Sequence, residues 1–183
     1  VPQICENLVY ITNNSDPEYM DRDILYSILD KGPKRASAYW FIHIQVTDEP
    51  FTSDYTVESY GTDYVFFVTI RLGFKVPQRV NVYLRQIISD LVATGALPQQ
   101  VRKYSIYKNA TTGSFRFYHI RKTLAPESDI SHLQKLAVRL KYKIRKMAGS
   151  PDKWYGLENS NLVIEYVPLF IRSKHFNPFV KTK

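Results

Sequence analysis

The sequence predicts a single three-layer α/β domain with a mixed, mostly parallel central sheet and about three helices. Residues 38–50 are apolar on both faces of an extended strand up to Val46, which is typical of a strand covered on both sides. Segments with helical periodicity lie between the strand-like runs. A length of 183 residues suits one domain over residues 1–171, followed by a loose basic tail over residues 172–183.

The amino-terminal part of the chain has the pattern of a βαβ unit. Residues 8–11 are the first strand candidate. Asp16 and Pro17 are residue types preferred at an N-cap and at a first helical position, so helix one is expected from there to about residue 30. The strand over residues 38–50 follows and is expected to pair with the first strand in parallel, through a right-handed crossover.

The middle of the chain predicts a hairpin and a second helix. Residues 55–60 and 64–72 alternate as strands around a turn that contains Gly61. Pro77 is expected to open helix two, because its apolar residues recur at helical spacing, and Gly95 is expected to end it.

The carboxyl-terminal part predicts three more strands and a third helix. The strands are expected over residues 104–107, 115–124 and 162–170. The helix is expected over residues 131–147, where a capping-box pair precedes a regular apolar stripe.

The charge balance favours an anionic partner without identifying it. The chain has 25 Lys and Arg against 17 Asp and Glu, a net charge of +8. A solvated basic surface, nucleic acid, a nucleotide phosphate and anionic lipid headgroups all agree with this balance. Cys5 is the single cysteine, so no internal disulfide forms, and no apolar run is long enough to span a membrane. The chain begins at Val1 without Met, which we interpret as a fragment of a longer polypeptide.

The motifs argue against an enzyme. No G-x-S-x-G sequence and no glycine-rich phosphate loop occurs. The histidines are not at metal-ligand spacing and are expected to be structural: His43, His119, His132 and His175. We therefore predict no catalytic residues, no metal and no cofactor. The aromatic residues follow strand periodicity and suit a core, so nucleic acid is not a predicted partner.

Two basic sets of residues remain, and each has two interpretations. The helix over residues 131–147 has no acidic residue; its cations form either a solvated face or a surface for anionic lipid headgroups, through Lys135, Arg139, Lys143 and Lys146. The second set surrounds helix two and the ends of two strands. Its arginines at strand ends, Arg71 and Arg121, either bind phosphate or form ordinary ion pairs with Asp63 or Asp90.

Several segments carry a resemblance to a known family. They read NNSDPEYMDRDILYSIL, KRASAYWF, VTDEP, RLGF-x-V-x-QRVNVYLRQI, KYSIY, FRF-x-x-IRK, SP-x-x-WYGL and VPLF. Together they resemble the C-terminal cytosolic region of KUP-family potassium transporters, most of all those of Gram-positive lactic acid bacteria. The resemblance covers essentially the whole chain.

The resemblance implies a regulatory domain on the cytoplasmic side of the cell membrane, joined to the transmembrane part of a K⁺/H⁺ symporter and paired as a homodimer. In Gram-positive relatives cyclic di-AMP inhibits potassium uptake through this domain, which implies that ligand at a dimer interface. From charge and strand-end position we predict the residues that bind it: Asn13, Asn14, Arg71, Lys75, Arg79, Tyr83, Arg121 and Lys122. The alternative is a structural module for dimerisation and membrane-surface docking without a small-molecule ligand.

Overall fold

The computed structural model describes residues 1–102, 105–106, 110, 112–124, 136–137, 140 and 150–169. The elements follow in the order β1 (Gln3–Thr12), α1 (Arg22–Leu29), β2 (Arg35–Thr47), β3 (Ser53–Glu58), β4 (Val65–Gly73), α2 (Val80–Ala93), β5 (Phe115–Leu124), α3 (Pro151–Trp154) and β6 (Leu162–Leu169). This order of strands and helices confirms the predicted α/β class.

The six strands form one sheet in the order β3-β4-β2-β1-β5-β6. Neighbouring strands are parallel except β3, which is antiparallel to β4 at one edge. β1 and β2 are parallel neighbours on either side of α1 in the chain, which confirms the parallel pairing of the βαβ unit. β2 pairs with both β1 and β4, so the run that is apolar on both faces is a central strand, as predicted.

The sheet separates two apolar cores. On one side Trp40 of β2 packs with Phe66 of β4 and Leu84 of α2. On the other side Phe41, the next residue of β2, packs with Ile24 of α1. Successive residues of a strand point to opposite faces, so the double apolar pattern of β2 supplies both cores and produces the three layers.

Helix α1 begins at Arg22, and the prediction that Asp16 caps it is wrong. The Asp21 carboxylate accepts a hydrogen bond from the Asp23 N–H at 3.0 Å and caps the helix instead. Asp16 accepts from the Glu18 N–H at 2.9 Å within a turn. An Asp followed by Pro suits such a turn as well as a helix start, and the turn forms here.

Helix α2 begins at Val80, so the prediction that Pro77 opens it is wrong. Arg79 has φ −123° and ψ 66°, which are not helical values, and the Val80 N–H donates to the carbonyl of Tyr155 at 3.2 Å. That contact with the connection after α3 sets where the helix starts. Gly95, with φ +76°, follows the last turn, which confirms the predicted helix end.

The hairpin of β3 and β4 is confirmed, with its first strand shifted to Ser53–Glu58 and a turn in which Tyr60 and Gly61 have positive φ. The strand predicted over residues 104–107 is wrong at Ser105 and Ile106, the two of its residues that the structure describes. β5 is already paired with β1 and β6, so it offers no free edge for another strand.

Two predictions fall largely outside the described residues. Of the helix predicted over residues 131–147, only 136, 137 and 140 are described, and all three are helical. The tail predicted over residues 172–183 and its boundary lie outside the described part of the chain.

Candidate functional site

The eight residues predicted to bind a ligand divide between the two faces of the sheet. Arg71 lies on the same side of β4 as Phe67, which is buried in the core under α1. Its Nε lies 3.3 Å from the Asp54 carboxylate on β3, and both side chains are about half exposed. The ion-pair interpretation is therefore correct in kind, but the partner is Asp54 and not Asp63 or Asp90.

The two cations of β5 point to opposite faces. Lys122 lies on the α1 side with Tyr118, and its Nζ is 2.6 Å from the Asp23 carboxylate of α1. Arg121 lies on the α2 side with Phe117. One ligand on one face of the sheet therefore cannot contact both side chains.

The asparagines follow β1 at the carboxyl end of the sheet. Asn14 organises the turn to α1, because its Nδ2 donates to the carbonyls of Asp16, at 3.1 Å, and Tyr19, and its Oδ1 accepts from the Asp16 N–H at 3.1 Å. Asn13 is exposed. The Asn14 amide thus has a structural role in this turn.

The remaining three predicted residues belong to the β4–α2 connection and to the first turn of the helix that follows it. Lys75 and Arg79 are exposed, and Arg79 is the N-cap residue of the 14-residue helix α2. No side chain caps this helix and no acidic residue lies in its first turn. The Tyr83 hydroxyl donates to the carbonyl of Pro77 at 2.7 Å and holds the connection against α2. Arg79 therefore lies at a helix N-terminus that no side chain caps and that itself favours anions, and Lys75 lies in the connection that leads to it.

Two exposed aromatic rings accompany Lys75, and the sequence prediction missed both. Phe51 is 73% exposed and Phe74 is 60% exposed. The Lys75 Nζ lies 5.6 Å from the Phe51 ring centroid and 5.9 Å from that of Phe74. We call these three residues the phenylalanine patch. The available signal was an aromatic residue directly after a turn-forming Pro50 or Gly73, outside the strand alternation.

The loops that carry the patch are tied together by their backbones. The Gly73 N–H donates to the carbonyl of Thr52 at 2.7 Å, and the Lys75 N–H donates to that of Pro50 at 3.1 Å. A Cβ atom at Gly73 would lie 2.3 Å from the carbonyl oxygen of Glu49. Only glycine permits this approach, so the two rings are presented by a closely packed pair of loops.

The amino end of the sheet holds a larger opening, a cleft of about 980 Å³ between the starts of the strands and the loop at residues 97–102. Cys5 lies against it but is buried, and burial raises the pKa of its thiol to about 11. A thiol with so high a pKa is a poor nucleophile at neutral pH.

Buried amides close the inner wall of this cleft. Asn7 and Gln100 exchange two hydrogen bonds of 2.7 Å, and the Trp40 Nε1–H donates to the Asn7 Oδ1 at 2.9 Å. The Gly113 N–H donates to the Gln100 Oε1 at 2.8 Å, and Arg102 donates to the carbonyl of Gly113 at 3.0 Å. We call Asn7, Trp40 and Gln100 the amide cluster. Its polar groups bind the chain itself, which suits a structural role.

A second polar cluster joins α1 to β6. Lys34 lies 3.3 Å from the Glu165 carboxylate, and both side chains are nearly buried. Ser27 links Glu165 to the Tyr10 hydroxyl, which is 2.8 Å from the Ser27 Oγ, and burial raises the pKa of Tyr10. The Lys34 ammonium also lies 5.3 Å from the centroid of the Tyr118 ring. Each charged group has a partner, so this cluster fastens the edge strand.

The residues predicted to contact a membrane surface, Lys135, Arg139, Lys143 and Lys146, lie outside the described residues. Within the described ranges, no helix is long and apolar enough to cross a membrane. The same ranges contain no group of three or more potential metal ligands.

Comparison with known proteins shows which family the chain is similar to. The family model described as K+ potassium transporter C-terminal domain matches residues 6–167. The chain is 45% identical over 172 residues to a probable potassium transport system protein Kup of Clostridium perfringens strain SM101, which covers 94% of the chain and 26% of that protein. Proteins of the same name in Lacticaseibacillus casei and Enterococcus faecalis are each 42% identical, over 93% and 100% of the chain and 25% and 27% of their own lengths.

The chain thus spans about a quarter of the length of these relatives. No solved structure matches it.

Proposed function

The chain belongs to the K+ potassium transporter C-terminal domain family, and from that premise we propose that it is the regulatory cytosolic domain of a K⁺/H⁺ symporter. In this proposal the domain lies on the cytoplasmic side of the cell membrane, joined to the transmembrane part of the same protein. It binds cyclic di-AMP at a homodimer interface and thereby inhibits potassium uptake. It performs no catalysis of its own.

The observation that carries the proposal is that two exposed cations, Lys75 and Arg79, lie in the connection from β4 to α2. Lys75 and Arg79 are exposed in the connection that follows β4, at the carboxyl end of the sheet. Neither forms an ion pair with the described part of the chain, whereas Arg71 and Lys122 do. The helix N-terminus adds partial positive charge. We propose that, of the eight predicted residues, Lys75 and Arg79 bind the phosphate groups.

A two-fold symmetric ligand suits a two-fold symmetric pair of domains. Cyclic di-AMP has two phosphates and two adenines, so each subunit contributes the same residues to one half of it. Lysine and arginine form charge-assisted hydrogen bonds to phosphate oxygens. The ligand then stabilises the arrangement of the two domains that it binds better, which in the whole transporter is a non-conducting state.

The experiment is isothermal titration calorimetry of the purified chain with cyclic di-AMP, with cyclic di-GMP and ATP as comparison ligands. We expect selective binding of one cyclic di-AMP per two chains. Lys75→Ala combined with Arg79→Ala should weaken binding at least about tenfold, because two charge-assisted hydrogen bonds are lost.

Arg71→Ala is the matched control, since Arg71 is an exposed arginine near the same end of the sheet but is paired with Asp54 on the other face. It should leave the affinity nearly unchanged. Absence of heat, together with absence of competition at high ligand concentration, would contradict the function and favour the dimerisation and membrane-docking module. If Arg71→Ala loses as much affinity for cyclic di-AMP as the double variant does, the ligand site lies on the α1 face of the sheet.

A further inference from the structure

We propose that Phe51 and Phe74 form a stacking surface for a nucleobase, so that the phenylalanine patch selects a purine nucleotide over an anion without a base. The inference rests on the proposed function, because the phosphate is the group that Lys75 and Arg79 hold. It gives a role in ligand specificity to Phe51 and Phe74, which are not among the eight residues predicted from the sequence.

The exposure of the two rings is the first observation. Phe51 and Phe74 are the most exposed phenylalanines of the described chain, at 73% and 60%, while Phe66 and Phe117 of the core are 0% and 1% exposed. Neighbouring aromatic residues left in water commonly mark a binding surface. Phenyl rings offer flat apolar faces that suit bases, since every base has a flat π face.

The rigidity of the patch is the second observation. Both rings project from loops that the Gly73–Thr52 and Lys75–Pro50 backbone hydrogen bonds tie together. The close approach of Gly73 to Glu49 leaves no space for a side chain between these loops, so their backbones pack in direct contact. A surface that is already ordered loses little entropy when a ligand binds, which favours affinity.

The position of the charge is the third observation. The Lys75 ammonium lies 5.6 Å and 5.9 Å from the two ring centroids, so it makes a cation–π contact with each ring. Arg79 and the N-terminus of α2 lie four residues further along the chain. A single bound nucleotide would place its base against a ring and its phosphate against this ammonium.

The charges around the patch argue against a lipid bilayer as the occupant. A bilayer would contact a broad area that includes Asp48 and Glu49, which are exposed on the same loop as Phe51. Carboxylates in that position oppose docking on anionic headgroups. A nucleotide is small enough to contact the rings and the cations alone.

The test compares ligands with and without a base on the full chain, by titration of amide chemical shifts in NMR spectra. The probes are cyclic di-AMP, AMP and ribose 5-phosphate. Phe51→Ala combined with Phe74→Ala should weaken cyclic di-AMP and AMP about tenfold or more, because stacking is lost, and should leave ribose 5-phosphate unchanged. Lys75→Ala should weaken all three.

Two further variants make the result specific. Tyr19→Ala removes an aromatic side chain that is 69% exposed outside the patch and should change none of the three affinities. Phe51→Leu combined with Phe74→Leu keeps apolar volume but removes the flat faces, and should weaken the base-containing ligands as the alanine pair does.

Unchanged affinity for AMP and cyclic di-AMP in the alanine pair would overturn the stacking surface while leaving the proposed function intact. If the wild-type chain binds none of the three probes, both proposals are wrong. If it binds vesicles of phosphatidylcholine and phosphatidylglycerol through the two phenylalanines, and cyclic di-AMP without them, the patch is a bilayer contact and the stacking surface is again wrong.

Discussion

The amino end of the sheet has the larger cleft, whereas the carboxyl end has the exposed cations and aromatic rings. At the amino end, Asn7, Gln100 and Arg102 make their hydrogen bonds to the chain itself beside a cleft of about 980 Å³. At the carboxyl end, Lys75 contacts two exposed aromatic rings and Arg79 is exposed at the start of α2. This difference shows that the volume of a cleft is a weak indication of a ligand site. Polar groups without a hydrogen-bond or ion-pair partner, and apolar side chains exposed to water, are stronger indications.

The same difference separates stability from binding. Polar groups that are buried and bonded to one another destabilise the fold when one is removed, because the others lose their partners. Exposed cations and rings can be removed with little effect on the fold. Substitutions at the two ends should therefore affect different measurements.

The largest expected effect on stability is at Asn7. Asn7→Ala leaves the Trp40 indole N–H and the Gln100 amide without their buried partner, so we expect a loss of about 3 kcal/mol or more in the free energy of unfolding. Urea denaturation followed by circular dichroism measures it. Asn13→Ala, at an exposed asparagine of the carboxyl end, should change the free energy by less than about 0.5 kcal/mol. Equal losses of unfolding free energy in Asn7→Ala and Asn13→Ala would contradict the difference expected between the two ends of the sheet.

A smaller effect is expected at Gly73. Gly73→Ala places a methyl group against the backbone of Glu49 and Pro50, so the two loops must separate at a cost of about 2 kcal/mol. The phenylalanine patch should then lose its arrangement and bind cyclic di-AMP more weakly in calorimetry. Gly32→Ala is the matched control, because a Cβ there meets nothing within 4 Å. If both glycine variants retain wild-type stability and affinity, the loops are not held as described.

The smallest effect is expected at Arg102. Arg102→Ala removes hydrogen bonds to the carbonyls of Thr112 and Gly113, which should lower the free energy of unfolding by about 1 kcal/mol. Because the cleft is remote from the carboxyl end, the affinity for cyclic di-AMP should stay within about twofold of wild type. If Arg102→Ala weakens the binding of cyclic di-AMP while Lys75→Ala binds it normally, the ligand site is the cleft at the amino end and not the carboxyl end.

The sequence alone determined the fold class, because the patterns that encode it are local. The double apolar face of β2 predicted a central strand, and the helical spacing of the α2 residues predicted a helix that ends at Gly95. Helix starts were predicted less well. Asp16 satisfied the residue preference for an N-cap, but the same residue types form a turn, and the local sequence does not decide between the two.

The tertiary structure alone decided which residues share a site. Arg71 and Arg79 are eight residues apart in the sequence, yet they lie on opposite faces, and Arg71 has an ion-pair partner on a neighbouring strand. Phe51 and Phe74 are brought to one lysine because β3 pairs with β4 and their loops meet at Gly73. Periodicity describes one segment at a time, whereas strand pairing and loop contacts depend on segments far apart in the chain, and these contacts form the candidate site.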